Sequence, residues 1–256
     1  MKYIYAATLF IVMEDFQDIL ISLKSSEHKY KVIMMMENNA GRRYETAIHH
    51  LMALCGGLMG VYTIMSRMGV FAAAETTNMI EIVCDILGKD PEAIFTRLLA
   101  LLIYILGLIC HTALKMKTEL ELRYASIVLD VLAILSLLII PEDVDPFLAL
   151  CPLCFAAAFQ WCSFERAKGY SCSTIFSTNN LKQTVTSAAA WFMTKKEDPD
   201  RLKKADRALF YGGTLLCFYG GTAAGYEAWS ILGMSSILLT LIPLSLCTVL
   251  IGKQKA

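Results

Sequence analysis

Long apolar stretches, separated by short polar segments, dominate the chain from residue 48 onward. A helix needs about 20 mainly apolar residues to cross a bilayer. Six stretches approach or meet this length: residues 48–66, 95–114, 124–140, 147–164, 208–229 and 231–251. The pattern therefore predicts an all-α, polytopic helical membrane protein with about six spanning helices.

Two further segments, Val70–Leu87 and Ser171–Met193, are apolar but carry charges that a simple span would not tolerate. Charged side chains at bilayer depth are costly unless they face protein or water. The charges are Glu75, Glu81, Asp85 and Lys182. We interpret both segments as re-entrant or broken helices. An amphipathic helix on the membrane surface is the alternative for the first of them.

A small polar patch occurs once in each of these segments, as Thr76-Thr77-Asn78-Met79 and as Thr178-Asn179-Asn180-Leu181. Each patch follows one span and precedes a charged loop and another span. This recurrence predicts a two-fold internal repeat, with repeat one at 48–140 and repeat two at 147–252. The acidic turn at 141–146 separates the repeats.

The two patches are candidates for a substrate site, because broken helices at mid-depth in repeated halves often bind substrate. Hydroxyl and amide groups both donate and accept hydrogen bonds, so the site suits a neutral or zwitterionic solute. The predicted substrate-binding residues are Thr76, Thr77, Asn78, Thr178, Asn179 and Asn180. The alternative is that these residues cap helix N-termini.

Two carboxylates, Glu75 and Asp130, are candidates for ion coupling, because an acid inside a membrane span is a functional hypothesis by default. Asp130 lies well inside the third span. Its alternative role is a structural hydrogen bond to a neighbouring helix.

Composition agrees with the membrane class and narrows the chemistry. The chain is 56% hydrophobic and 18% charged, with net charge zero, and its mean hydropathy is +0.53. Nothing in this balance favours nucleic acid, and the expected partner is the lipid bilayer. The sequence holds no phosphate-binding loop, nucleophile elbow or metal-ligand cluster, so no cofactor or metal is predicted.

Charge placement predicts the orientation. If six helices cross, nearly all Lys and Arg lie on one side, which the positive-inside rule makes cytoplasmic, and both termini lie there. The other side keeps only Arg67, Lys89 and Arg97. If both motif segments crossed, giving eight spans, this bias would weaken and the halves would be parallel.

Three features leave other functions open. Cys151 and Cys154 form a Cys-x-x-Cys pair, as in membrane thiol-disulfide oxidoreductases. Gly213, Gly221 and Gly225 form a small-residue stripe for close helix packing, within the chain or in a homo-oligomer. A structural or partner-binding membrane protein without transport is the third reading.

His49 and His50 begin the first span, where we expect an interfacial position, since adjacent helical residues make a poor metal pair.

The first 40 residues fit three interpretations: an interfacial helix, a weak signal-like segment, or an extension before a natural start at Met34, Met35 or Met36. Residues 41–256 are then the membrane domain.

The two motifs also carry a resemblance. The chain from Ala53 to Lys115 and from Cys154 to Trp229 resembles the YoaK-like family of small bacterial membrane proteins, described as permeases or as a domain of unknown function. The family's mark is a Thr-Gly-Asn-aliphatic motif in each half. Here Thr77 and Asn179 stand in the glycine places, and Gly60 stands where the family has an acidic or amide residue. The resemblance implies a divergent member with a transport-like fold in the bacterial inner membrane.

Overall fold

A computed structural model describes residues 28–67, 75–141 and 143–255, with side chains from residue 41 to residue 254 of these ranges. Residues 1–41 and 42–256 form two separate compact units. Of the first unit, only helical backbone from His28 is described, so most of the predicted N-terminal extension or interfacial helix lies outside the described residues. The helices are α1 (His28–Ser66), α2 (Glu75–Gly88), α3 (Pro91–Lys117), α4 (Leu122–Ile139), α5 (Pro146–Ser163), α6 (Thr178–Met193), α7 (Asp200–Leu232), a 3₁₀ helix (Gly233–Thr240) and α8 (Leu241–Lys255).

Five helical stretches of the described chain are long and apolar enough to cross a membrane. The last, Asp200–Gln254, has 55 residues, whereas about 20 suffice for one crossing. It is divided at Gly233, whose φ of 54° lies outside the helical region and ends α7. The two parts match the fifth and sixth predicted spans.

One end of the bundle is marked by the turn between α4 and α5, and we call it the Pro141 face. The Arg67 guanidinium, just after α1, donates to the backbone carbonyls of Ile140 and Pro141. Near the end of α1, the Tyr62 hydroxyl lies 3.8 Å from Met234 Sδ, just after α7. The ends of α1, α4 and α7 therefore meet at this face.

The opposite end, which we call the Arg123 face, collects the other helix ends. Arg123, at the start of α4, donates to Gln254 at the end of α8. The Glu45 carboxylate, near the start of the first span, accepts from the backbone N–H of Lys168, shortly after α5. The Lys168 ammonium pairs with Asp206, near the start of α7, at 2.5 Å.

These contacts determine which segments cross. Arg97, near the start of α3, stacks on the ring of Phe147 at the start of α5, so α3 begins at the Pro141 face, where α1 ends. The segment that contains α2 must leave and return to that face. In the same way, α5 ends and α7 begins at the Arg123 face, so the segment that contains α6 must leave and return to that face. The chain therefore crosses six times, with two short helices that do not cross, as the sequence predicted.

Close helix packing at glycines joins the two halves. A Cβ on Gly221 of α7 would overlap the carbonyl group of Leu54 in α1, and one on Gly57 would overlap that of Phe218. Gly107 of α3 lies in the same way against Phe155 of α5. Thus α7 packs on α1, and α3 packs on α5. Each contact joins one half to the other, as small residues allow.

The glycine stripe of α7 is therefore covered within the chain. Besides Gly221, Gly213 packs against the His50 ring and Gly225 against Val61. A homo-oligomer through the Gly213, Gly221, Gly225 face, which the sequence allowed, would need to displace α1. This fold does not leave that face free.

The chain also contains a small β-hairpin that the sequence analysis did not predict. β1 (Arg166–Ala167) pairs antiparallel with β2 (Tyr170–Ser171). Lys168 and Gly169 both have positive φ, as a type I′ turn requires. The Lys168–Asp206 pair and a 3.1 Å hydrogen bond from Tyr170 to Asp206 attach the hairpin to α7.

Candidate functional site

The first motif lies at the start of a short helix whose first residue is at mid-depth. Glu75, the first residue of α2, interacts electrostatically with Tyr104 and Cys154. Tyr104 is halfway along α3 and Cys154 halfway along α5. Since α2 ends next to the start of α3, it runs from the middle of the bundle back to the Pro141 face. This is the geometry of a re-entrant helix.

Two of the three carboxylates of α2 are neutralised by one arginine. Arg97 of α3 pairs with Glu81, and its Nε lies 2.7 Å from the Asp85 carboxylate. The Arg97 guanidinium also lies 4.4 Å from the centre of the Phe147 ring, a cation–π contact. This network explains how an acidic helix is accommodated in the bundle, and it leaves Glu75 as the carboxylate of α2 that has no cation.

Glu75 is half-buried and only partly satisfied. One of its oxygens accepts a 3.4 Å hydrogen bond from the Asn78 side chain, whereas its buried Oε2 has no partner among the described residues. Burial raises the pKa of Glu75 to about 7, and the Asn78 hydrogen bond opposes this shift. Glu75 therefore titrates near neutral pH.

The other residues of the first motif divide by exposure. Thr76 and Thr77 are exposed, while Asn78 is 6% exposed and packs its amide toward Glu75. Asn78 therefore supports Glu75, whereas Thr76 and Thr77 lie on the exposed side of α2.

The second motif begins α6, and its buried asparagine holds the preceding loop. Asn180 is 1% exposed. Its amide donates to the carbonyls of Ser173 at 2.7 Å and Phe176 at 3.1 Å, and its oxygen accepts from the Cys172 thiol. All its hydrogen-bonding groups are engaged. Asn180 therefore orders residues 172–177, while Thr178 and Asn179 stay exposed.

The loop before α6 also reaches the middle of the bundle. The backbone of Thr174 lies against Gly56, in the middle of the first span, and Ser177 hydrogen bonds to Tyr219 within α7. At its other end, Thr194 accepts from Lys204 near the start of α7. Thus α6 runs from mid-depth to the Arg123 face, the inverse of α2.

No hydrogen bond or ion pair joins the two motifs among the described residues, but α5 connects their surroundings. Gln160 of α5 donates to Thr174 and lies 3.5 Å from the Met52 carbonyl oxygen. Cys154, which faces Glu75, lies six residues earlier, about 9 Å along the helix axis. The two re-entrant segments thus approach α5 from the Pro141 face and the Arg123 face, and their inner ends lie at similar depths. The six predicted substrate-binding side chains do not form one cluster.

Asp130 forms a second and separate polar site. It is 0% exposed, and neither carboxyl oxygen has a hydrogen-bond partner among the described residues. It interacts electrostatically with the thiols of Cys55 in α1 and Cys247 in α8. The buried hydroxyl of Ser126, one turn before it, is also unpaired. The structural alternative, a hydrogen bond to a neighbouring helix, is not observed in the described part of the chain.

The remaining candidates are placed in packed surroundings. Cys154 is buried in the core, and the Cys151 thiol donates to the Phe147 carbonyl. No disulfide joins any of the cysteines in the described part of the chain. His49 is buried, and the rings of His49 and His50 pack on Phe210. No group of three metal-ligating side chains occurs in the described residues.

Three residues of the site region were not predicted from the sequence: Arg97, Tyr104 and Gln160. The charge pattern placed Arg97 only on one side of the membrane. Its pairing with Asp85 and Glu81, which precede it by 12 and 16 residues, was not predicted. Tyr104 and Gln160 are polar groups inside apolar spans, a signal that applies to them as it does to Asp130.

Six crossings, with two short helices that enter from opposite faces, define a polytopic helical membrane protein with re-entrant helices. The chain matches the model of a family of proteins of unknown function, DUF1275, over residues 48–250. It belongs to that family, and the match includes both motifs and all six crossings. No curated protein and no solved structure matches the chain.

Proposed function

We propose that this protein is a small-solute membrane transporter, a divergent permease of the YoaK-like kind. The observation that carries the proposal is the pair of re-entrant helices, α2 and α6, which start at mid-depth and run to opposite faces. Inverted halves with discontinuous helices are a recurrent transporter architecture, because rocking one half against the other gives alternating access.

In this proposal the exposed motif side chains contact the solute, and the buried asparagines hold the two segments in place. Asn78 and Asn180 contribute mainly by ordering Glu75 and residues 172–177. The residues that would contact the solute are Thr76, Thr77, Thr178 and Asn179. Glu75 and Asp130 would carry coupling protons, since both have unpaired buried oxygens and neither forms an ion pair in the described chain.

The charge distribution supports a cytoplasmic Arg123 face with both termini on that side. Arg67 and Arg97, at the Pro141 face, are engaged with carbonyls and with the carboxylates of α2. Most other Lys and Arg residues of the described chain belong to the Arg123 face, as the positive-inside rule predicts for the cytoplasmic side. The YoaK-like resemblance supports the bacterial inner membrane as the location.

The proposal is tested with purified protein and a panel of zwitterionic and neutral solutes, namely the amino acids, glycine betaine and small polyols. We expect at least one solute to raise the melting temperature and to exchange across proteoliposomes that contain the protein. Thr77→Ala and Asn179→Ala should each weaken this stabilisation. Thr186→Ala, an exposed threonine on the outer part of α6, is the matched control. Failure of the whole panel to exchange would refute the transporter.

A further inference from the structure

Two polar atoms on neighbouring helices lie at mid-depth without a hydrogen-bond partner among the described residues. They are Oε2 of Glu75 and the hydroxyl oxygen of Tyr104. Tyr104 is 4% exposed and belongs to the hydrophobic core, and it interacts electrostatically with Glu75. A buried hydroxyl or carboxylate normally has a hydrogen-bond partner, and an exception calls for an explanation. A bound ligand group is the explanation that uses both atoms.

The surroundings specify the charge of such a ligand group. Tyr104 of α3 and Cys154 of α5 interact electrostatically with Glu75, and neither side chain is a cation. Glu81 and Asp85 both form ion pairs with Arg97, so this guanidinium is already committed. Glu75 is thus a negatively charged hydrogen-bond acceptor without a counter-ion in the described residues.

We propose that Glu75 and Tyr104 bind the ammonium group of a small primary amine, and that the amine and a proton occupy Glu75 in turn. An ammonium group has three N–H donors and no acceptor, which suits a carboxylate oxygen together with a phenol oxygen. The inference rests on the proposed transporter and narrows its solutes to amines, including the ammonium group of a zwitterion.

The exchange is balanced and involves no covalent step. Protonated Glu75 loses one proton to solvent, and the carboxylate then pairs with the incoming R–NH₃⁺. Because burial raises the pKa of Glu75 to about 7, most molecules hold this proton at pH 6 and few hold it at pH 8. Cation binding therefore releases more protons at pH 6 than at pH 8, because linkage makes the release equal to the protonated fraction.

Proton release on binding tests the inference directly. Full-length protein in detergent, weakly buffered with a pH indicator, is titrated with pH-matched methylammonium, propylammonium and 1,4-diaminobutane. We expect release approaching one proton per chain at pH 6 and a severalfold smaller release at pH 8. Propanol, which lacks the ammonium group, should release none.

Variants assign the effect to residues. Glu75→Gln should abolish proton release, and Tyr104→Phe should keep it while weakening apparent affinity by about tenfold, the loss of one hydrogen bond to a charged group. Glu92→Gln, an exposed acid in the first turn of α3, is the matched control and should behave as wild type. Melting temperatures verify folding, and Tyr104→Phe together with the pH profile provides the test if Glu75→Gln does not fold.

Absence of proton release with all three amines, or equal release from folded Glu75→Gln, overturns the inference. The transporter proposal is refuted by a different result. Amine-linked proton release without flux in proteoliposomes leaves the binding site standing and contradicts transport. Flux of a neutral solute without amine-linked release keeps the transporter and removes the amine site.

Discussion

The neighbouring glycines Gly220 and Gly221 provide a sharp test of how the two halves pack. They lie on the same helix, α7, but a Cβ on Gly220 would meet nothing within 4 Å. A Cβ on Gly221 would lie 3.0 Å from the Leu54 carbonyl carbon and would overlap its oxygen. Ordinary carbon contacts begin at 3.4 Å, so α1 and α7 would have to part by at least 0.4 Å. The obstacle is backbone, which cannot rotate away.

The pair of alanine substitutions isolates this contact. Both replace glycine in a helix interior, which favours the helix by about 1 kcal/mol, and that gain cancels in the comparison. Overpacking a well-packed contact costs about 1–3 kcal/mol. We therefore expect Gly221→Ala to be about 1–3 kcal/mol less stable than Gly220→Ala, and Gly220→Ala to be at least as stable as wild type.

The assay is reversible unfolding in mixed micelles, with the midpoint in SDS mole fraction read by circular dichroism. Gly57→Ala, which makes the same contact from the α1 side against Phe218, should lose stability as Gly221→Ala does. Equal midpoints for Gly220→Ala and Gly221→Ala would refute the close α1–α7 contact and the covered glycine stripe.

Three further predictions use the same assay. Arg97→Met leaves the carboxylates of α2 unpaired and should cost about 1–3 kcal/mol, less than a fully buried pair because the groups are partly exposed; an unchanged midpoint would contradict the network. Asn180→Ala should cost about 2–3 kcal/mol through its lost hydrogen bonds, while exposed Asn179→Ala should change stability by less than about 0.5 kcal/mol. Gly169→Ala, at a φ of 80°, should cost about 1 kcal/mol, and a gain in stability would exclude the turn geometry.

The crossings could be predicted because the length of an apolar run is a direct physical requirement of the bilayer. The non-crossing helices could also be predicted, because the charges of α2 exclude a simple span. The division of the last 55 residues into two crossings followed from length, although its position depends on the left-handed backbone of Gly233.

The details of the site depended on tertiary contacts that no local pattern contains. Sequence alone did not show that Arg97 selects Glu81 and Asp85 and leaves Glu75 unpaired, because the choice is made between two helices. The motifs look equivalent in sequence, yet Asn180 is used to fix a loop and Asn78 to support a carboxylate. The hairpin was missed because strands of two residues have no periodicity, although Lys168-Gly169 is a turn signal.

The transporter proposal depends on α2 and α6 entering the membrane region from opposite faces without crossing it. Glu92 and Glu197 lie beyond these helices in exposed positions, so single cysteines placed there report the two faces. A Cys84→Ser background removes the exposed native cysteine, and the labelling of this parent is subtracted. An impermeant maleimide should label Glu92→Cys and Glu197→Cys from opposite sides of the membrane. Labelling of both cysteines from the same side would mean that the motif helices cross. That result would contradict the inverted halves on which the transporter proposal depends.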